Sequence, residues 1–247
     1  MHTKKVDGSD IGLAALTAVA TLFQVPVVIA GLADGYEAYI SGEYDIAYTE
    51  LLPAAQAGDH YAAYYLGLLY WGGNGVERDV DTAVVWLNDA AAGGHTGAQL
   101  MIALAYESGQ GVEQNYHLGA VWMSEAARGG NSDAQYLLGI YYRDGRGVVQ
   151  DYREAYAWLE RSVTGDRSNA YFLDALLSLG SAREWGRGQP QNLVESYKWY
   201  ALAAGYSAGE ARIYDSAGRA MDALSTRMTA EEIAEAQRRA DKIQLGS

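Results

Sequence analysis

The chain has no cysteine, three prolines and four histidines in 247 residues, and each scarcity closes a route. Without thiols there is no disulfide scaffold, no thiolate metal site and no cysteine nucleophile. An oxidising compartment stays open to such a chain, which simply needs no disulfide there. The histidines, His2, His60, His95 and His117, are scattered, and none pairs with another at i, i+3 or i+4 as helix-borne metal ligands do. His95 falls in a turn and His117 near a helix start, where both read as surface residues, and no metal site is expected. Basic residues are also few, 18 against 31 acidic, for a net charge of −13 with no local run of Lys or Arg. That balance repels a phosphate backbone, so nucleic acid is excluded as a partner. Few prolines beside 29 glycines suit helices joined by tight turns.

The N-terminus is apolar. Lys4 and Lys5 precede a run from Ile11 to Leu32, broken mainly by Gln24 and Pro26, and Val28-Ile29-Ala30 has the small-residue character of a cleavage site. The preferred reading of residues 1–32 is a cleaved export signal, with the mature chain beginning near Gly31 in a compartment such as the periplasm. An uncleaved membrane anchor and a first buried helix are the alternatives. No cysteine follows to carry a lipid anchor.

The strongest pattern is a repeat. Trp86, Trp122 and Trp158 fall 36 residues apart, and the same step carries Ala62 to Ala98 and Ala134, Tyr70 to Tyr106 and Tyr142, and Gly75 to Gly111 and Gly147. Ala62, Leu66 and Tyr70 share one face of a first helix. Gly67, Ala103 and Gly139 lie between, where a minimal side chain lets a neighbouring helix come close. Gly73-Asn74-Gly75, Gly109-Gln110-Gly111 and Gly145-Arg146-Gly147 then stop that helix. Asp79, Asn115, Asp151 and Asn192 stand at the N-cap of a second helix, with Glu154 and Glu195 at capping-box spacing in two copies. Trp86, Trp122 and Trp158 are expected to be buried packing residues, with the alanine pairs Ala90-Ala91 and Ala126-Ala127 giving close helix contact.

Ala47, Ala54, Ala55 and Gly58 carry the phase upstream. Trp199 follows Trp158 by 41 residues, so five are inserted, either in the linker 165–173 or in a longer helix. A further helix is expected over 208–227, and Thr229 to Glu232 forms a capping box opening a charged terminal helix, 230–245. The expected organisation is therefore a solenoid of about five helix pairs over 33–228, closed by a polar helix over 229–247.

The set Ala62, Leu66, Tyr70, Gly73, Gly75-Val76, Asp79, Trp86, Ala90-Ala91 and Gly94 resembles the Sel-one-like repeat family, a relative of tetratricopeptide repeats. The tail, from Tyr197-Lys198-Trp199 through Met228-Thr229 to Glu235-Ala236-Gln237, resembles the C-terminal end of bacterial members. The resemblance covers roughly residues 33–245. It implies an all-α, right-handed superhelical solenoid of stacked helix–turn–helix repeats. It also implies an adaptor or scaffold that binds a protein or peptide, often exported in bacteria. Ser162-Val163 in place of Ala-Ala, and Asp166 in place of Gly, depart from the pattern and put the regularity of the fourth and fifth units in question.

A hydrolase and a structural spacer are the competing functions. Gly205-Tyr206-Ser207-Ala208-Gly209 has the lettering of a nucleophile elbow, but it joins two helices where the motif needs a strand-to-helix turn. Cysteine-rich relatives are associated with penicillin binding or hydrolysis, yet Glu195 and Arg239, not Ser, precede Lys198 and Lys242 by three residues. No catalytic residue, cofactor or metal is assigned, and a membrane is a partner only through the N-terminal segment if it stays uncleaved. In related solenoids the first helix of each pair lines the inner curve. The positions two and nine residues after its leading Ala point away from Ala62, Leu66 and Tyr70. They give Tyr64, Leu100 and Tyr136, then Trp71, Glu107 and Arg143, as the partner-binding candidates.

Overall fold

The structure, a computed structural model, describes residues 31–164, 169–207 and 209–245. The export signal expected over residues 1–32 lies outside the described residues up to Ala30. Among the described residues all regular structure is helical: α1 (residues 31–41), α2 (Tyr44–Gln56), α3 (His60–Gly72), α4 (Val80–Ala92), α5 (Thr96–Ser108) and α6 (Tyr116–Arg128). These continue as α7 (Ser132–Asp144), α8 (Tyr152–Thr164), α9 (Phe172–Trp185), α10 (Leu193–Tyr206), α11 (Ala211–Ser225) and α12 (Ala230–Leu245). The helix expected from residue 208 thus begins three residues later. The fold class is the all-α helical repeat that the 36-residue phase requires. The chain forms two compact units, one ending at Ala98 and one beginning at Gln99. In the first, α3 packs on α2 and on α4. In the second each of α6 to α10 packs on the next, and α10 also carries α11 and α12.

The turn inside each repeat satisfies the carbonyls that a helix end leaves open. Gly73, Gly109, Gly145 and Gly186 adopt left-handed φ of 70°, 74°, 69° and 66°. The next residue then folds back, so that Asn74, Arg146 and Arg187 donate their backbone N–H to the carbonyls of Leu69, Tyr141 and Ala182. The residue before the following cap adds a side-chain clamp. Gln114, Gln150 and Gln191 donate Nε2 to the carbonyls of Glu107, Arg143 and Glu184 at 2.7–2.8 Å, and Arg78 donates Nε to that of Trp71 at 3.1 Å.

The caps Asp79, Asn115, Asp151 and Asn192 accept from the helix they open, as expected. Each is worth about 1 kcal/mol. Their own N–H groups go to the carbonyls of Tyr70, Tyr106, Tyr142 and Arg183. That is why the capping boxes expected at Glu154 and Glu195 do not close: the N–H each Glu was to satisfy is already bonded. At Thr229 no such carbonyl competes, and the box forms both ways, Glu232 N–H to Thr229 Oγ1 at 3.2 Å and Thr229 N–H to Glu232 Oε2 at 2.9 Å.

Packing follows the small residues. An added β-carbon on Gly67 would lie 2.6 Å from Leu87 Cγ, and on Gly139 2.9 Å from Leu159 Cγ. Where Ala103 replaces that glycine, the facing alanine becomes Gly119, whose added β-carbon would be 3.1 Å from the Ala103 carbonyl. One methyl is thus exchanged across the seam. Trp158 is buried, but Trp86 and Trp122 are only half-buried, a correction to the expected fully buried column. The residue after each, Leu87, Met123 and Leu159, occupies the seam at 0–3% exposure. A β-carbon placed 100° away points the indole along the edge of that seam. The insertion also resolves. The α8–α9 linker runs over 165–171 where the corresponding linkers run over 93–95 and 129–131, and α9 has 14 residues where α7 has 13. Four inserted residues are therefore in the linker and one in the helix.

Candidate functional site

In the second unit α7, α8 and α9 enclose a cleft of about 400 Å³. Tyr136 and Arg143, seven residues apart and so on one face of α7, form one wall. Tyr152 and Tyr156, one turn apart on α8, form another. Asp174, Leu177 and Ser178 enter from α9, and Arg187 comes from the glycine turn that follows it. The walls are thus aromatic and the rim is charged, the mixture that gives an interface both contact area and directional bonds.

The Tyr136 ring stacks on Tyr171, centroids 4.7 Å apart and planes 10° off parallel. Burial, then the charge of Asp174, raises the Tyr136 phenol above its ordinary range, and burial does the same at Tyr156. Both therefore act as neutral hydrogen-bonding groups. Arg143 holds Asp144 through two bonds of 2.7 and 2.9 Å, which keep that carboxyl below its ordinary value. Both oxygens of Asp174 accept from Arg212, at 3.1 and 3.2 Å. The Arg187 guanidinium lies 5.9 Å from the Tyr152 ring centroid, and that of Arg183 lies 6.0 Å from Tyr156.

The six candidate residues separate. Tyr136 and Arg143 meet in the cleft. Leu100 is half-buried against the core formed by Ala103, Met123 and Leu138. Glu107 accepts from the buried Tyr141 hydroxyl at 2.7 Å and pairs with Arg146, so it ties helices together. In the first unit Tyr64 stacks on His95 at 4.1 Å and touches Tyr65, while Trp71 is half-buried and offers its carbonyl to Arg78. His95 corrects the surface reading. It is half-buried, and its Nδ1 accepts from the Ala98 N–H at 3.1 Å, filling the cap position that Asp59 and Asn131 fill for α3 and α7. Burial lowers its pKa.

The α8 tyrosines and Arg187 were missed as cleft residues. The signal for Arg187 is in the turn: the residue between the glycines is Asn74, then Gln110, then Arg146 and Arg187.

Ser207 is buried, stands at the C-cap of α10 and donates its Oγ proton to the Ala204 carbonyl at 2.8 Å. Its hydroxyl is bound into the helix end. Among the described residues no three His, Asp or Glu side chains gather as a metal site would, and no helix is long and apolar enough to cross a membrane.

The Sel1 repeat family matches residues 60–95, 96–131, 132–165 and 173–204, which are the helix pairs α3–α4, α5–α6, α7–α8 and α9–α10. Among solved structures, a Sel1 repeat protein from Oxalobacter formigenes is similar over 84% of this chain and 83% of its own, at 25% identity and a TM-score of 0.69. A protective antigen of uropathogenic Escherichia coli with an SLR fold aligns over 86% of this chain and 67% of its own, at 18% identity and a TM-score of 0.36. No curated protein matches the sequence.

Proposed function

The chain belongs to the Sel1 repeat family, and from that premise we propose that it is a non-catalytic adaptor holding a segment of a partner protein in the α7–α8–α9 cleft. Sel1 repeats generally serve as protein-interaction scaffolds. The observation that carries the choice of site is the convergence of Tyr136, Arg143, Tyr152 and Tyr156 on one cleft of about 400 Å³, room for a few residues of extended chain. Large rings with few rotors lose little entropy on docking, and serine hydroxyls on α9 offer bonds to a peptide backbone. Cross-linking in the native cell, followed by identification of what co-purifies, tests this. Arg143→Ala should melt close to the parent, and Tyr136→Ala should stay folded although it gives up the stacking on Tyr171, yet both should lose the captured partner. Unchanged recovery with both would move the site elsewhere, and a mere spacer would also behave that way. Ser207→Ala should leave recovery intact, since no reaction is assigned to that hydroxyl.

Export is part of the same proposal. The lysines and apolar run at the N-terminus support secretion with cleavage near Gly31. Mass spectrometry of the native protein should find the chain starting there. An intact N-terminus recovered from the cytosol would overturn it.

A further inference from the structure

Two copies of the repeat solve the same position differently. In the last turn of α5, Glu107 accepts from Tyr141 and pairs with Arg146, the residue between the next two turn glycines. One repeat on, Arg143 stands where Glu107 stood, Ala182 where Tyr141 stood, and Arg187 where Arg146 stood. The tyrosine that fills the first seam is reduced to a methyl in the second, and Ala182 lines the cleft. The carboxylate that neutralised the turn arginine has become a second guanidinium, and Arg143 and Arg187 both line the same space.

The remaining charges do not repair this. Asp144 is held by Arg143, and Asp174 by Arg212. Arg187 and Arg183 have no carboxylate partner among the described residues, although the chain carries 13 more acidic than basic groups. The Arg183 Nε is buried without a hydrogen-bond partner. In a protein this acidic, cations left unpaired beside an aromatic cleft mark a place where the missing charge comes from outside.

Resting on the cleft reading, we infer that the segment bound there is an acidic peptide. It places Asp or Glu side-chain carboxylates between Arg143 and Arg187 while its apolar parts lie on Tyr136 and Tyr152. The partner supplies to Arg187 what Glu107 supplies to Arg146.

The test is selection from a random peptide library displayed with its C-terminus blocked, using the full chain as bait. Selected peptides should be rich in Asp and Glu. Their affinity should fall about tenfold in Arg187→Gln, stay near parental in Arg187→Lys, fall further in Arg143→Glu, and weaken as salt is raised. Arg187 is exposed, so its two variants should fold, and melting checks them together with Arg143→Glu. Neutral or basic peptides, acidic peptides indifferent to Arg187→Gln, or no enrichment would each overturn the inference. If neutral peptides emerge that still require Tyr136, the cleft stands and only the partner class is wrong. If the peptides ignore Tyr136 as well, the cleft fails with it.

Discussion

Replacing the second glycine of a repeat turn should be far more damaging than replacing the first. Gly186 and Gly188 flank Arg187 with φ of 66° and 78°. Alanine at either carries the left-handed strain of a β-carbon, roughly 1–2 kcal/mol. At Gly186 the added carbon meets the Gln191 nitrogen at 3.3 Å, which a small shift relieves. At Gly188 it would sit 1.9 Å from the Tyr152 carbonyl oxygen and 2.5 Å from its carbon, backbone atoms in the first turn of α8. Relief needs a movement of about 1.5 Å to reach an ordinary contact. Overpacking of that kind adds about 1–3 kcal/mol or more, for a total of about 2–5 kcal/mol or more. At about 2–4 °C per kcal/mol for a protein of this size, Gly186→Ala should lower the melting temperature by roughly 4 °C and Gly188→Ala by roughly 10 °C or more. Thermal melts followed by far-ultraviolet circular dichroism measure both. Equal losses would refute the reasoning, because they would mean that the second glycine serves its dihedral alone and not the approach of one repeat to the one before. The same contact recurs at Gly147 against the Tyr116 carbonyl and at Gly75 against the backbone of Tyr44.

Three further outcomes follow from particular contacts. His95 caps α5 through an unprotonated Nδ1, and burial holds its pKa below the ordinary imidazole value, so the unfolded chain binds the proton more readily. Its contribution is complete above about pH 6.5 and is lost as pH falls toward the lower folded value, so melts at neutral and mildly acidic pH should show a step that His95→Asn removes. Leu87→Ala should cost about 2–5 kcal/mol in chemical denaturation because Leu87 is fully buried, and Trp86→Ala should cost less despite its larger volume. Glu107→Gln weakens a bond from a buried tyrosine hydroxyl and removes an ion pair, so unfolding should shift by about 1–3 kcal/mol, while Glu113→Gln in the neighbouring exposed turn should shift it by less than about 0.5 kcal/mol.

The helices were legible because period and punctuation agree. Alanines at helical spacing, an αL glycine and an Asp or Asn cap each require the same boundaries, so α3, α6, α7 and the terminal box at Thr229 stand where the residues place them. Errors arose where one group had two suitors. Glu154 and Glu195 have capping-box spacing, but the cap N–H they would accept is claimed by a carbonyl nine residues back, a contact that exists only once the turn has closed. His95 looked like a surface residue since histidine seldom caps a helix, and the rings of Tyr64 and Tyr61 packed on it explain the burial. Trp86 and Trp122 show the limit of periodicity, which gives the direction of a β-carbon and not how far a large ring leans toward the edge.

The site was half legible for a related reason. Projecting a helical wheel from Ala134 selects Tyr136 and Arg143, which line the cleft, and the same projection from Ala98 selects Leu100 and Glu107, which are spent on the scaffold. A wheel treats the copies as equivalent. What separates them is the pairing of each position with the next repeat: Glu107 has Tyr141 and Arg146 to bind, and Glu184 has Arg227 at 2.8 Å with the Tyr200 hydroxyl at 3.4 Å. Arg143, between them in the series, can accept from neither kind of donor and turns to Asp144 beside it. A repeat array holds together by making every seam alike, so a position where one seam reverses charge and loses a ring contributes less to the scaffold than its equivalents do. On the acidic-peptide proposal, the stability forgone there, a charge-assisted bond and a buried tyrosine's contacts, is what an incoming segment restores on binding. In such a chain the regular residues specify the fold, and the departures from regularity are the places to look for the partner.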